Sequence, residues 1–269
     1  MTFIANLFDS LRPNTRALNA LRDSRKGKRC FIVGNGPSLK EMDLSPLAHE
    51  DVFVSNLFAL HPDLAVIRPE FYCLSDWVHW KGGRFLPEIR EALAKLPDTK
   101  FFLEITAAPA VKREYKIDAL TLRKERIYYL TVDGQRTIWD DQYCRKLEAG
   151  GRRATVAWGK TVTLDFCVPL AEFMGYEKMY LIGNDYNWNL DKSEDLAAGY
   201  FYDIKKDSRG LLESSTHIEQ TRNDEHVKLI FRGFQNIQKS MQSRGRSMFN
   251  AGVGGALDVI PRVKYEDLF

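Results

Sequence analysis

One stretch constrains the fold more than any other: Cys30-Phe31-Ile32-Val33 runs straight into Gly34-Asn35-Gly36-Pro37-Ser38-Leu39. Four apolar or β-branched residues ending in a glycine turn read as a buried strand. With Ser38 as N-cap, Glu41 falls at N3, which predicts a capping box and a helix starting immediately behind the turn. A helix N-terminus presents free N–H groups and partial positive charge to a phosphate. Glycine lets the backbone approach where a Cβ would obstruct. The same pattern also fits an ordinary strand-to-helix turn. No Gly-Lys-Ser/Thr follows, so this is not a P-loop. Leu39 and Lys40 stand where a dinucleotide fingerprint needs its third glycine, so NAD is unsupported.

Beyond that point, strand and helix signals alternate. Strands are expected at 29–34, 51–56, 70–75, 100–105, 126–131, 177–183 and 247–251, and helices near 38–49, 84–97, 161–176 and 221–244. The last helix is the clearest, with Val227, Ile230, Phe231, Phe234, Ile237 and Met241 at helical spacing. Strongly apolar strands alternating with helices predict an α/β, Rossmann-like, mostly parallel sheet with helices on both faces. Ligands of such sheets bind at the carboxyl ends of the strands. That rule selects Gly34-Asn35-Gly36, Asn56, Ser75-Asp76 and Gly183-Asn184-Asp185. The expected organisation is a leader helix over 1–28 and a single Rossmann-like domain over 29–269. Within that domain, the aromatic and charged segment of about 186–220 reads as a lid.

Composition narrows the class. With 44% hydrophobic residues in 269, the chain can bury a sizeable core, and a net charge of +3 is too small to imply nucleic acid. The basic clusters near 22–29 and at Arg152-Arg153 are short and read as solvated faces. The four cysteines (Cys30, Cys73, Cys144, Cys167) form no Cys-x-x-Cys and read as reduced thiols of a cytoplasmic protein. No secretory signal or run of membrane-spanning length appears. Phe3, Ile4, Leu7, Phe8 and Leu11 make the leader amphipathic. It reads as a helix packed on the body; the alternative is a weak contact with the inner membrane surface.

Taken together, Gly34-Asn35-Gly36-Pro37-Ser38-Leu39-Lys40-Glu41, Asn56 closing the second strand, and Gly175–Asp185 resemble one superfamily. It comprises the bacterial lipooligosaccharide sialyltransferases, the flagellin-modifying motility accessory factors and the MptE-like 6-hydroxymethylpterin diphosphokinases. The similarity covers roughly 29–76 and 155–250. It implies a nucleotide-dependent transferase of cell-surface polysaccharide biosynthesis, moving a sugar such as a nonulosonic acid from a CMP-activated donor to a glycan or protein acceptor. No metal or other cofactor is implied, and an oligomer is compatible with the resemblance.

Carried over residue by residue, the resemblance assigns nucleotide binding to Asn35, Gly36, Ser38 and Asn56; the glycine-turn pattern adds Gly34 and Pro37. With Asp76 taken from its place at a strand end, the resemblance adds Thr163 at the start of the buried helix and Tyr200 in the lid. It makes Asp185 catalytic and puts Asn187 where those enzymes have a phosphate-binding tyrosine. Their catalytic histidine falls without gaps near Thr221, four residues past His217, the histidine expected to be the general base. As a diphosphokinase, the chain would use ATP and Mg²⁺, with Asp76 and Asp185 as ligands. A third reading is a non-catalytic nucleotide-sugar binding module that keeps the loop without a base. Trp77-Val78-His79-Trp80 offers an acceptor-side aromatic platform, or plain packing. Gly252-Val253-Gly254-Gly255 offers either a second close-approach loop or a simple turn.

Overall fold

The computed structural model describes residues 12–76, 79–80, 85–117, 126–140, 147–150, 153–187, 200–202 and 224–269. In chain order its strands are β1 Arg29–Val33, β2 Val52–Ser55, β3 Phe71–Leu74, β4 Lys100–Glu104, β5 Ile127–Thr137, β6 Glu148–Gly150, β7 Arg153–Trp158, β8 Lys178–Ile182 and β9 Ser247–Asn250. Its α-helices are α1 Arg12–Asn19, α2 Leu64–Ile67, α3 Pro87–Lys95, α4 Ala108–Ile117, α5 Val168–Met174 and α6 Asp224–Gln242. A π-turn, Thr163–Cys167, leads into α5.

The sheet order is β6-β7-β5-β4-β3-β2-β1-β8-β9. All neighbours run parallel except β6, which is antiparallel to β7. Side chains alternate between two cores, as the two-residue period of a strand requires. Cys30 and Ile32, Phe53, Phe71 and Cys73, and Phe102 face one core, covered by Leu18 of α1, α5 and α6. Phe31 and Val33, Val52 and Val54, Tyr72 and Leu74, and Phe101 and Leu103 face the other, covered by α2, α3, α4 and short 3-10 turns. The chain is an α/β Rossmann-like fold.

Three details differ from the sequence expectation. Residues 38–49 form two 3-10 turns, Pro37–Glu41 and Ser45–His49, in place of one helix. The Asp43 carboxylate accepts from the Ser45 N–H at 2.9 Å, and Pro46 begins the second turn. That local bond and the backbone restriction before proline both break a continuous helix. The Ser38–Glu41 capping box does not form: Gly36 is the N-cap, with no side-chain cap bond. Finally, β6 and β7 extend the sheet past β5. Thr155, Val156 and Trp158 carried that signal beside basic residues read as a solvated face.

The described part of the leader packs on the body. Asn14 pairs with the β5 backbone, donating to the Tyr129 carbonyl and accepting from its N–H, both at 2.8 Å. Its amide thereby continues the ladder beside β5. Residues 1–11 lie outside the described residues. No described helix is long and apolar enough to cross a membrane.

Candidate active site at the strand switch point

Strand order reverses between β1 and β8: β2, β3 and β4 extend to one side of β1, and β8 and β9 to the other. The crevice outside such a reversal is where open α/β sheets hold ligands. Here it is formed by Gly34–Ser38 after β1 and Gly183–Asn187 after β8.

The two loops are bonded to each other. The Gly34 N–H donates to the Ile182 carbonyl at 2.9 Å and the Gly36 N–H to Gly183 at 2.7 Å. Ser38 donates its N–H to Asp185 Oδ2 at 2.9 Å and its hydroxyl to Oδ1 at 2.6 Å. A Cβ on Gly36 would lie 2.3 Å from Asp185 Oδ2, and one on Gly34 would lie 2.2 Å from the Gly183 carbonyl oxygen. The glycines therefore serve close approach between the loops. The amides of Gly34, Gly36 and Ser38, expected to cradle a phosphate, are engaged within the protein, and a single 3-10 turn replaces the expected helix terminus. Pro37 begins that turn. Burial raises the Asp185 carboxyl pKa, against the Ser38 bonds and the nearby Arg262 cation.

Asn35 is what the loop leaves for a ligand. It is 8% exposed, and its Nδ2 donates to the Ser55 carbonyl at 3.0 Å. A carbonyl only accepts, so that bond fixes the amide orientation. Its Oδ1 is then buried without a hydrogen-bond partner among the described residues. An unpaired buried acceptor is costly and calls for an explanation.

The neighbouring loops converge on this place. Asn56 closes β2 in the left-handed region, φ 51°, with its Oδ1 3.1 Å from His79 Nε2. Its carbonyl accepts from the Tyr72 hydroxyl at 2.5 Å. The Phe201 N–H donates to the Asn35 carbonyl at 3.0 Å, setting Tyr200 beside the loop, where it stacks on Tyr202. Thr163 donates to Asn184 Oδ1 at 2.8 Å, and Asn184 Nδ2 donates to the Ile32 and Ile182 carbonyls. Asn184 thus joins β1, β8 and the π-turn. Asn187 is half-buried directly after Tyr186, which has φ 49°.

Sequence reasoning passed over Asp165. It is buried in the π-turn, accepts from the Gly159 N–H, and is hydrogen-bonded to Ser75 beside Asp76. Burial, its largest influence, raises its pKa to about 7, and the Asp76 charge adds to the effect. The signal was an acid standing directly before the apolar run Phe166-Cys167-Val168. Asn184 was selected only as part of a strand end and His79 only within the aromatic platform; their bonds to Thr163 and Asn56 were not foreseen. Of the remaining expectations, His217 and Cys144 lie outside the described residues, as does the lid except for 186–187 and 200–202. Cys30, Cys73 and Cys167 are buried free thiols. Trp80 is buried, with its Nε1 donating to Thr106 at 3.2 Å, which is packing. The Gly252–Gly255 loop wraps Arg262, which donates to the carbonyls of Gly254 and Gly255, and the Ala256 N–H donates to the Asp185 carbonyl. No group of three or more metal-ligating side chains occurs among the described residues.

No protein-family model matches the chain, and no curated protein does. Among solved structures it is similar to the MAf glycosyltransferase from Magnetospirillum magneticum AMB-1, with a TM-score of 0.53 and 15% sequence identity. The match covers 98% of this chain and 39% of that one, so this chain spans well under half the length of that protein. At this identity the likeness is one of fold.

Proposed function

We propose that this protein is a glycosyltransferase that binds a nucleotide-activated sugar, CMP-linked, in the β1/β8 crevice and passes the sugar to a glycan hydroxyl. One observation carries the reading: the buried Asn35 Oδ1, fixed at the switch point and lacking a donor among the described residues. A nucleotide supplies one, as a ribose hydroxyl or as the cytosine amino group. The fold of the MAf glycosyltransferase is consistent with this role.

In the reaction, the acceptor hydroxyl attacks the anomeric carbon and its proton goes to a base. The bond from that carbon to the phosphate oxygen breaks, and CMP leaves with the electron pair. Negative charge builds on the phosphate, and preorganised neutral donors stabilise it. Since the loop amides of Gly34, Gly36 and Ser38 are engaged, that part falls to the Asn187 amide and the Tyr200 phenol. Asp185 and Ser38 act as positioning residues by holding the two loops together. Asn56, held by His79, borders the pocket on the β2 side, and Asp76 borders it on the β3 side. His217 is the proposed base.

Release of CMP from CMP-activated N-acetylneuraminic acid, followed in EDTA with the purified chain, tests the reading. Turnover without metal supports it. Binding of CMP with no turnover would favour a non-catalytic binding module, and binding of ATP alone, only with Mg²⁺, a diphosphokinase.

A further inference from the structure

Two tryptophans stand at the carboxyl ends of strands further along the sheet. Trp158 ends β7, and Trp139 follows β5; their rings meet edge to face with centroids 5.6 Å apart. These strands run parallel to β1 and β8, so the pair lies on the same edge of the sheet as the crevice. The Lys160 ammonium sits 4.4 Å from the Trp158 ring centroid and 5.3 Å from that of Trp139, within cation–π range. Burial alone shifts the Lys160 pKa, downward, with no contribution from a carboxylate among the described residues. Trp158 remains 37% exposed with the ammonium against it.

The position is also strained. Lys160 has φ 67°, a left-handed conformation that costs a non-glycine residue free energy and, where observed, prompts a functional hypothesis. Three residues on is Thr163, so chain geometry keeps their Cα atoms within about 11 Å. Thr163 bonds Asn184 beside the crevice. His226 is near as well: burial first, and then the Lys160 charge, hold its pKa down to about 4. A cation without a counter-ion among the described residues, set on partly exposed aromatic surface at the crevice's edge of the sheet, fits a ligand with an apolar face and a negative charge.

We propose that Trp139, Trp158 and Lys160 form the acceptor subsite, where the aromatic surface packs on the C–H face of a pyranose and Lys160 pairs with a carboxylate on that sugar. The term acceptor rests on the glycosyl-transfer reading; the binding itself does not.

The test uses the full chain with ¹⁵N-labelled tryptophan, following the indole N–H resonances during titration with digalacturonate and, separately, lactose. CMP affinity is measured on the same samples. The Trp139 and Trp158 signals are expected to shift with digalacturonate at millimolar concentration, and with lactose roughly tenfold more weakly, the scale of one charged hydrogen bond. Lys160→Gln should reduce digalacturonate to the level of lactose, and Trp158→Ala should remove both, with CMP affinity unchanged. If Trp158→Ala fails to fold, Lys160→Gln alone decides. Unmoved indole signals, equal binding of the two sugars, or a Lys160→Gln protein that keeps its preference each overturn the proposal. Digalacturonate binding without CMP binding would sustain the subsite while removing the glycosyl-transfer reading. CMP binding with unmoved indoles would remove the subsite alone.

Discussion

Ser38 gives both of its donors to Asp185, its hydroxyl to one carboxylate oxygen at 2.6 Å and its N–H to the other at 2.9 Å. The contact spans 147 residues of sequence and locks the loop after β1 to the loop after β8. It occupies the volume that the missing Gly36 side chain leaves open. The glycine turn and the acid are therefore one device, and the crevice keeps its shape because of it.

This makes Gly36 a packing residue before it is a binding residue. Gly36→Ala is expected to destabilise the protein by about 1–3 kcal/mol, the usual scale of overpacking, because Asp185 is held in place and the Gly183 carbonyl stands 2.8 Å away. A double-mutant cycle with Asp185→Ala checks the cause: the cost of Gly36→Ala should shrink once the carboxylate is gone. Equal costs in both backgrounds would assign the effect to the backbone.

The sheet was legible in the sequence because its central strands are buried on both faces. Arg29–Val33, Phe71–Leu74 and Lys178–Ile182 stand out as short apolar runs ended by polar turns. The strand-end rule then gathered Gly34–Gly36, Asn56, Asp76 and Gly183–Asp185 at one edge. The partnerships were not legible. Nothing local to Ser38 shows that its bonds go to Asp185 instead of Glu41, since that choice depends on the β1–β8 neighbour relation. The burial of Asp165 was hidden in part for the same reason: its partner Ser75 follows β3, far away in sequence, although Gly159 is only six residues upstream.

Asn35 separates binding from folding. Asn35→Ala removes an amide whose Nδ2 bond to Ser55 contributes about 1 kcal/mol, and relieves the cost of the unpaired Oδ1. Its melting temperature is expected to stay near that of the unsubstituted protein. Nucleotide affinity, measured by calorimetry, should fall roughly tenfold or more, as when a site loses one buried hydrogen bond to its ligand. Unchanged affinity would remove the observation on which the proposed function rests.

The assignment of the base is tested at His217. Removing a positioned base slows proton transfer by about a hundredfold or more. His217→Ala should therefore lower CMP release with acceptor present on that scale, while CMP affinity barely changes. A variant with full activity would place the base elsewhere.

Asp165 gives the fold a pH signature. Its folded pKa of about 7 stands above the unfolded value of 3.8, so between those limits the native state holds a proton that the unfolded state has lost. Stability from this group is thus fully present below about pH 4, declines as pH rises, and reaches its lowest level above pH 7. His226, with its pKa depressed to about 4, contributes the opposite slope from there to 6.5, so the net curve mixes the two. Asp165→Asn isolates the carboxyl. The amide oxygen still accepts from the Gly159 N–H, its NH₂ still meets the Ser75 hydroxyl, and it does not ionise. The variant should match the parent near pH 4 and exceed it at pH 8, by at most about 4 kcal/mol at 1.36 kcal/mol per pKa unit. Denaturant melts of both proteins from pH 4 to pH 8 measure that difference directly, and the His226 contribution cancels in it. Parallel curves across the range would mean that Asp165 is ionised in the folded protein well below neutral pH.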